Sequence, residues 1–369
     1  MPDGSDLGVI DAVVDGDIKM PMYSTLNLSG HSQDLAAFQA EVAKWHVPWF
    51  ELHSPSFSAT LPMNTAKLYT NPAQVLNHFE QSFAQINRMA GRPLTRFRPE
   101  WLAYDRWVTV VGTALAASYP TYPNSEIGAL GEDWPRDESF ASPLLYSHEN
   151  FFSNDEPGSD SRGYNYVLWH EWGHLHNLPT LGFQEQESNV HMLAMIVCSP
   201  VMGADIDTAL RYSGFQRYDR DDAAADTMIS LNWQKAERLS DSAFDNELRY
   251  QTRSWARLVE IAALYGWDAV GAIHGAFYQR GVADGKVYNY GLEDDDFIAT
   301  ASAALNLSLA PIFKLWRVPP SPALDKQLKS YPVAKDFEAR LQHYRAIALK
   351  TAGDFEQVYQ RRTPPGISE

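Results

Sequence analysis

His170-Glu171-Trp172-Gly173-His174 places two imidazoles four residues apart with a carboxylate directly after the first, which is the metal-hydrolase pattern HExxH. On a helix with 3.6 residues per turn the two histidines project the same way and can share one Zn²⁺. Glu171 then stands where a carboxylate can polarise a water on that metal. The preceding run Tyr164-Asn165-Tyr166-Val167-Leu168-Trp169 is apolar and aromatic, Gly173 leaves room for close packing, and no proline interrupts before Pro179. The motif is therefore expected on a buried helix. The bland alternative is a core helix whose two histidines are simply hydrogen-bonded to neighbours.

A catalytic zinc takes three protein ligands and leaves a fourth position open. After the Pro179-Thr180-Leu181-Gly182 turn, residues 185–198 read as a second helix, with Val190, Leu193, Ala194 and Val197 at helical spacing. This segment offers Glu185, Glu187 and His191. Glu185 and Asn189 are four apart, so a ligating Glu185 would carry the Asn189 amide on its own face, where it could orient a metal-bound histidine. Glu187 pairs in the same way with His191, a weaker arrangement for an anionic ligand, and projects about 160° away from Glu185 around the helix. Glu185 is the preferred third ligand and Glu187 the second choice. The one not used would be a solvated helix-face carboxylate.

If the site is real, Glu171 is the general base and later the acid in peptide-bond hydrolysis. A tetrahedral oxyanion also needs a donor besides the metal. Tyr119, Tyr166, His191 and Tyr250 are the candidates for that role or for substrate contact, each equally readable as a core or rim aromatic.

HEWGHLHN, followed by a glutamate and an asparagine four residues on, resembles the M60-like, or enhancin-type, zinc metallopeptidases, whose motif reads HExGHxxQ with a downstream glutamate. Further anchors run along most of the chain. Ala117-Ser118-Tyr119-Pro120-Thr121 looks like the family's Gly-Tyr-Pro element, and Val47-Pro48-Trp49-Phe50-Glu51-Leu52 with Leu61-Pro62 resembles its early strand pair. Leu264-Tyr265-Gly266-Trp267-Asp268 looks like its Phe-Gly-Trp helix end, and residues 309–316 resemble its late helix. The chain departs from the pattern at Ser118, at Asn177 and at His191, where the family has glycine, glutamine and usually an aromatic. The resemblance implies a gluzincin-like zinc metallopeptidase domain with one catalytic Zn²⁺. It also implies a glycoprotein or mucin substrate, glycan contacts, and in some members cleavage beside an O-glycosylated Ser or Thr. Enzymes of this kind work outside the cell, so a secreted or cell-surface location is expected, with its targeting segment outside this chain.

Composition fits a folded enzyme, since 369 residues at 45% hydrophobic and 12% aromatic suffice for a large core. A formal charge of -16, with the 30 basic residues dispersed, argues against a nucleic-acid partner. No apolar run is long enough for a membrane span, and Met1-Pro2-Asp3-Gly4-Ser5-Asp6 lacks the basic and apolar regions of a signal peptide. The single cysteine, Cys198, excludes an intramolecular disulfide and reads as a small core residue.

Residues 1–70 alternate apolar and polar stretches broken by Gly, Ser and Pro, which reads as strands, with one helix near Gln33 to Trp45. From Pro72 onward helical patterns dominate, at Pro72 to Ala90, Asp226 to Glu237, Asn246 to Tyr265 and Asp296 to Leu305. The expected class is α+β: a strand-rich part over 1–70, a helical catalytic domain over 71–325 and a C-terminal helical segment over 326–369. Two acidic loops, residues 154–160 and 219–222, invite a structural calcium, but neither has EF-hand spacing and a solvated loop is the plainer reading. Residues 293–296 place carboxylates where they would favour a helix N-terminus. The competing functional class is a degenerate, glycoprotein-binding or structural zinc module of the same fold; the retained Glu171 weighs against it.

Overall fold

A computed structural model describes residues 19–26, 34–94, 98–103, 166–176, 178–182, 185–213, 218–229, 237–239, 252–289 and 291–348. Of Leu68, Tyr166, Val167, Leu168, Glu171 and Ile229 only the backbone is described. The chain divides into two compact units, residues 1–84 with 93–168, and residues 85–92 with 169–369. The architecture is mixed α+β, with a small four-stranded sheet and a helical majority.

In the first unit the strands β1 (Met22–Ser24), β2 (Trp49–His53), β3 (Phe57–Pro62) and β4 (Glu100–Ala103) lie in that order. β2 and β3 form an antiparallel hairpin, the strand pair read from the sequence, with Phe50 opposite Leu61 and Leu52 opposite Ala59. β1 joins β2 in parallel through α1 (Leu35–Lys44), and β4 joins β3 in parallel, with α2 (Pro72–Met89) between them in the chain. Parallel neighbours require such long connections. Strand pairing thus continues past residue 70, because β4 completes the sheet only after α2.

Side-chain alternation explains the burial. Phe50 and Leu52 point to one face of β2 and are fully buried, while Trp49, Glu51 and His53 on the other are half-buried. Phe38, from the helical stripe of α1, lies between Tyr23 and Phe50 at ring separations of 5.9 Å. Phe79 of α2 stacks on Phe57 at 4.1 Å, a pair worth about 1 kcal/mol beyond its buried area. Glu80 closes the hairpin by accepting from the Ser54 hydroxyl and the Ser56 N–H.

The second unit is helical. α3 (Tyr166–His176) carries HEWGH and is followed by α4 (Gln186–Asn189) and α5 (His191–Ile196), then a π-helical turn at Val197–Val201. The helix expected over 185–198 is therefore interrupted at Val190 and distorted at its end, where Pro200 lacks the N–H that a regular ladder needs. Next come α6 (Ile206–Tyr212), α7 (Arg220–Ile229) and α8 (Thr252–Tyr265). They are followed by α9 (Trp267–Asp284), α10 (Asp294–Leu305), α11 (Ala310–Leu315), α12 (Pro322–Leu328) and α13 (Lys335–Ile347).

α8 is the central helix. Every residue from Thr252 to Ala262 is buried, and the helix packs against α4, α6, α7, α9 and α11. It ends where Gly266 takes a φ of 83°, as the Tyr265-Gly266-Trp267 reading anticipates. α7 begins six residues earlier than the periodicity marks, because Asp219 and Asp222 cap it reciprocally: the Asp219 N–H donates to Asp222 at 3.3 Å and the Asp222 N–H to Asp219 at 2.8 Å. The second acidic loop is thus a helix start, with Asp219 paired to Arg211 and Asp221 to Arg340 and His343. The first, residues 154–160, lies outside the described residues. Asp294, Asp295 and Asp296 occupy the first turn of α10, as read. Cys198 is fully buried, and burial, with Asp205 nearby, pushes its thiol up to about 12, so it is a core residue.

Candidate metal centre

α3 turns Trp169 and Trp172 into the core, with their rings 5.0 Å apart. One turn of helix brings His170 Nε2 and His174 Nε2 to 3.3 Å from each other. Gly173 lies against Val190, the residue between α4 and α5: a Cβ on Gly173 would fall 2.5 Å from Val190 Cβ and 2.7 Å from its Cα. Only glycine lets the histidine helix approach the next segment this closely.

That approach delivers Glu187. Its Oε2 lies 3.5 Å from His170 Nε2 and 3.7 Å from His174 Nε2, and the three donor atoms all fall within 4.8 Å of one another. Zn–N and Zn–O bonds of about 2.0–2.1 Å at tetrahedral angles put ligand atoms roughly 3.3 Å apart, so the spacing fits one such ion with little adjustment. The donor set of two imidazoles and a carboxylate is also the zinc-hydrolase set. Burial lowers the His174 pKa, the neighbouring His170 lowers it further, and Glu187 partly opposes them; the net direction favours the neutral ring that a ligand needs.

The expectation for Glu185 is corrected. Its side chain is fully buried on the opposite side, where one carboxylate oxygen pairs with Arg257 of α8 and the other accepts from the Leu181 N–H. The opposed directions of Glu185 and Glu187 hold; what differs is which of them meets the histidines. A buried guanidinium needs a buried carboxylate, and among the described residues Glu185 is the one paired with Arg257. Nor is Glu185 a solvated carboxylate. Asn189 is corrected with it: the amide donates to the Pro179 carbonyl at 2.9 Å and ties down the loop after α3. Beside the histidines stands instead the Gln186 amide, 3.0 Å from His174 Nδ1, a contact that a polar run Gln184-Glu185-Gln186-Glu187 gives no signal for.

His191 packs its ring 4.7 Å from that of His170 and 5.2 Å from that of Trp255, and is only 1% exposed. Burial and the adjacent His170 hold its pKa well below the ordinary value, against a backbone hydrogen bond with Ser213. A ring so enclosed packs against those of His170 and Trp255. Tyr119 and Tyr250 lie outside the described residues, as do the side chains of Tyr166 and Glu171. The backbone of Glu171 lies on α3 directly after His170.

No protein-family model matches this chain, and no curated protein matches it in sequence. Its fold is shared with solved structures. A conserved protein of unknown function from Bacillus anthracis superposes with a TM-score of 0.58 at 16% identity, over 85% of this chain and 57% of that one. The CBM32-1, CBM32-2 and M60 catalytic domains of Clostridium perfringens ZmpB give 0.57 at 13% identity, over 86% and 30%. The M60 catalytic domain of C. perfringens ZmpC, in complex with the sialyl T antigen, gives 0.51 at 12%, over 86% and 57%. The chain thus has an M60-like fold and spans less than two thirds of the length of these structures.

Proposed function

We propose that this chain is a zinc-dependent endopeptidase acting on O-glycosylated, mucin-type glycoproteins. The convergence of His170, His174 and Glu187 carries the reading. A zinc ion bound there supplies Lewis acidity and a water that ionises near neutral pH. His170 and His174 would hold it through Nε2 and Glu187 through a carboxylate oxygen. Glu171 takes the proton of the attacking water and returns it to the leaving nitrogen. Three protein donors would leave such an ion able to take water or substrate, and among the described residues His191 does not join the cluster.

The M60-like fold supports peptide-bond hydrolysis, and the glycan complex formed by ZmpC supports a glycoprotein substrate. The 11 Trp and 18 Tyr of the chain supply rings able to stack on sugar faces. Such a substrate places the protein at the cell surface or outside the cell. The test is metal content by mass spectrometry together with cleavage of an O-glycosylated mucin-type protein, before and after desialylation and deglycosylation, for wild type and Glu171→Gln. One zinc per chain in both proteins, with cleavage by wild type alone and only of the glycosylated form, is the expected result. Zinc without cleavage would point to a glycoprotein-binding or structural module; equal cleavage of bare peptide would remove the glycan requirement.

A further inference from the structure

We infer that Gln186 is a positioning residue whose side-chain amide holds the His174 imidazole in the tautomer that frees Nε2 for the metal. The inference rests on the metal site proposed above. Gln186 and Glu187 are neighbours on the short helix α4, and between them they bracket one ring: the Gln186 amide nitrogen Nε2 lies 3.0 Å from Nδ1 and Glu187 Oε2 lies 3.7 Å from the ring's Nε2.

An imidazole that binds through Nε2 carries its proton on Nδ1, and a proton there needs an acceptor in a site where the side chain is only 16% exposed. A primary amide meets this need in a way that few groups can. Its oxygen and its NH2 lie in one plane and exchange by a half-turn about the last bond, so the same group accepts from a protonated Nδ1 or donates to a bare one. In this structure the amide nitrogen faces Nδ1, and with the ring's Nε2 committed to a metal the half-turn would bring the amide oxygen there instead. His170 has no equivalent device, because its Nδ1 has no hydrogen-bond partner among the described residues. The geometry therefore assigns the control of one ligand to the residue immediately before the carboxylate ligand.

Two variants separate this role from packing. Gln186→Met keeps the length of the side chain and removes the acceptor; Gln186→Glu keeps an acceptor and removes the donor. Zinc affinity, measured against a competing chromophoric chelator at one pH, should fall roughly 10–100-fold in Gln186→Met and be retained or tightened in Gln186→Glu. The melting temperatures of the three metal-free proteins should coincide. In ¹⁵N-histidine spectra of the zinc-loaded protein, the His174 Nδ1 proton should be slow to exchange in wild type and in Gln186→Glu, and fast in Gln186→Met. Equal affinity in all three would overturn the inference and leave the metal site standing. An equal loss in both variants would reduce Gln186 to packing and also overturn it. A wild type that binds no stoichiometric zinc would overturn inference and site together.

Discussion

Glu185 and Arg257 stand 72 positions apart and meet as an ion pair in which neither side chain is exposed. The same glutamate also accepts from the Leu181 N–H, and Arg257 donates to the Ser254 carbonyl. The pair thus ties the turn after α3, and with it the start of α4, to the central helix α8. Removing one partner of a buried pair leaves the other charge uncompensated, which costs more than the pair itself contributes. Glu185→Gln should therefore destabilise the protein by about 3–5 kcal/mol in urea unfolding. The double variant Glu185→Gln with Arg257→Met should recover part of that loss. Additive losses would show that the two are not coupled.

Glu187, two residues on, is predicted to act on metal rather than on stability. Glu187→Gln should lower zinc affinity by more than the roughly 10–100-fold that loss of an outer hydrogen-bond partner costs. The melting temperature without metal should barely move, since the carboxylate is partly exposed and the substitution keeps its shape. Unchanged zinc stoichiometry in this variant would return the third-ligand question to the whole chain.

Gly173→Ala would thrust a methyl group to 2.5 Å from Val190 Cβ and 2.7 Å from its Cα. The obstructing atoms include backbone, so a side-chain shift cannot relieve them. Destabilisation of about 1–3 kcal/mol is expected, with weaker zinc binding as the histidine helix is pushed away. Val190→Ala should not rescue it, because alanine keeps both offending atoms. A full rescue would show that the clash lies further out in the valine side chain.

His274 sets a pH dependence. It is buried on α9, its Nδ1 donates to the Met89 carbonyl at 2.8 Å, and burial lowers its pKa from 6.5 to about 4. Above pH 6.5 the ring is neutral folded and unfolded, so the interior tolerates it. Between the two values the unfolded chain takes up a proton that the folded protein refuses, and stability is lost as pH falls, by up to roughly 3 kcal/mol at the lower end. Urea unfolding across this window should show the slope, and His274→Asn, which keeps a donor near Nδ1, should lessen it, while His78, also lowered to about 4 by burial, contributes over the same window. An unchanged slope would assign the acid sensitivity to other groups.

The sequence-legible parts share one property: their information is local. The hairpin of Phe50 with Leu61 shows in an alternation of period two, α2 in the stripe Val75, Phe79, Phe83 and Ile86, and the end of α8 in Gly266. Helix starts are less legible. Capping by Asp219 and Asp222 lengthens α7 in a region where apolar periodicity is weak, and β4 is too short to announce itself. Gln186 shows no sequence signal, because an amide beside an imidazole looks like any polar residue until the helices are brought together.

By itself the sequence determined that His170 and His174 share a helical face, and that Glu185 and Glu187 point apart, since both follow from the pitch of one helix. Which carboxylate reaches the histidines was decided only by tertiary structure. Arg257 draws Glu185 inward from far along the chain, and Gly173 admits Val190 close enough to carry Glu187 to the two rings. A periodicity within one segment cannot report a charge 72 positions away, and burying that charge unpaired would cost more than any local preference between the two glutamates.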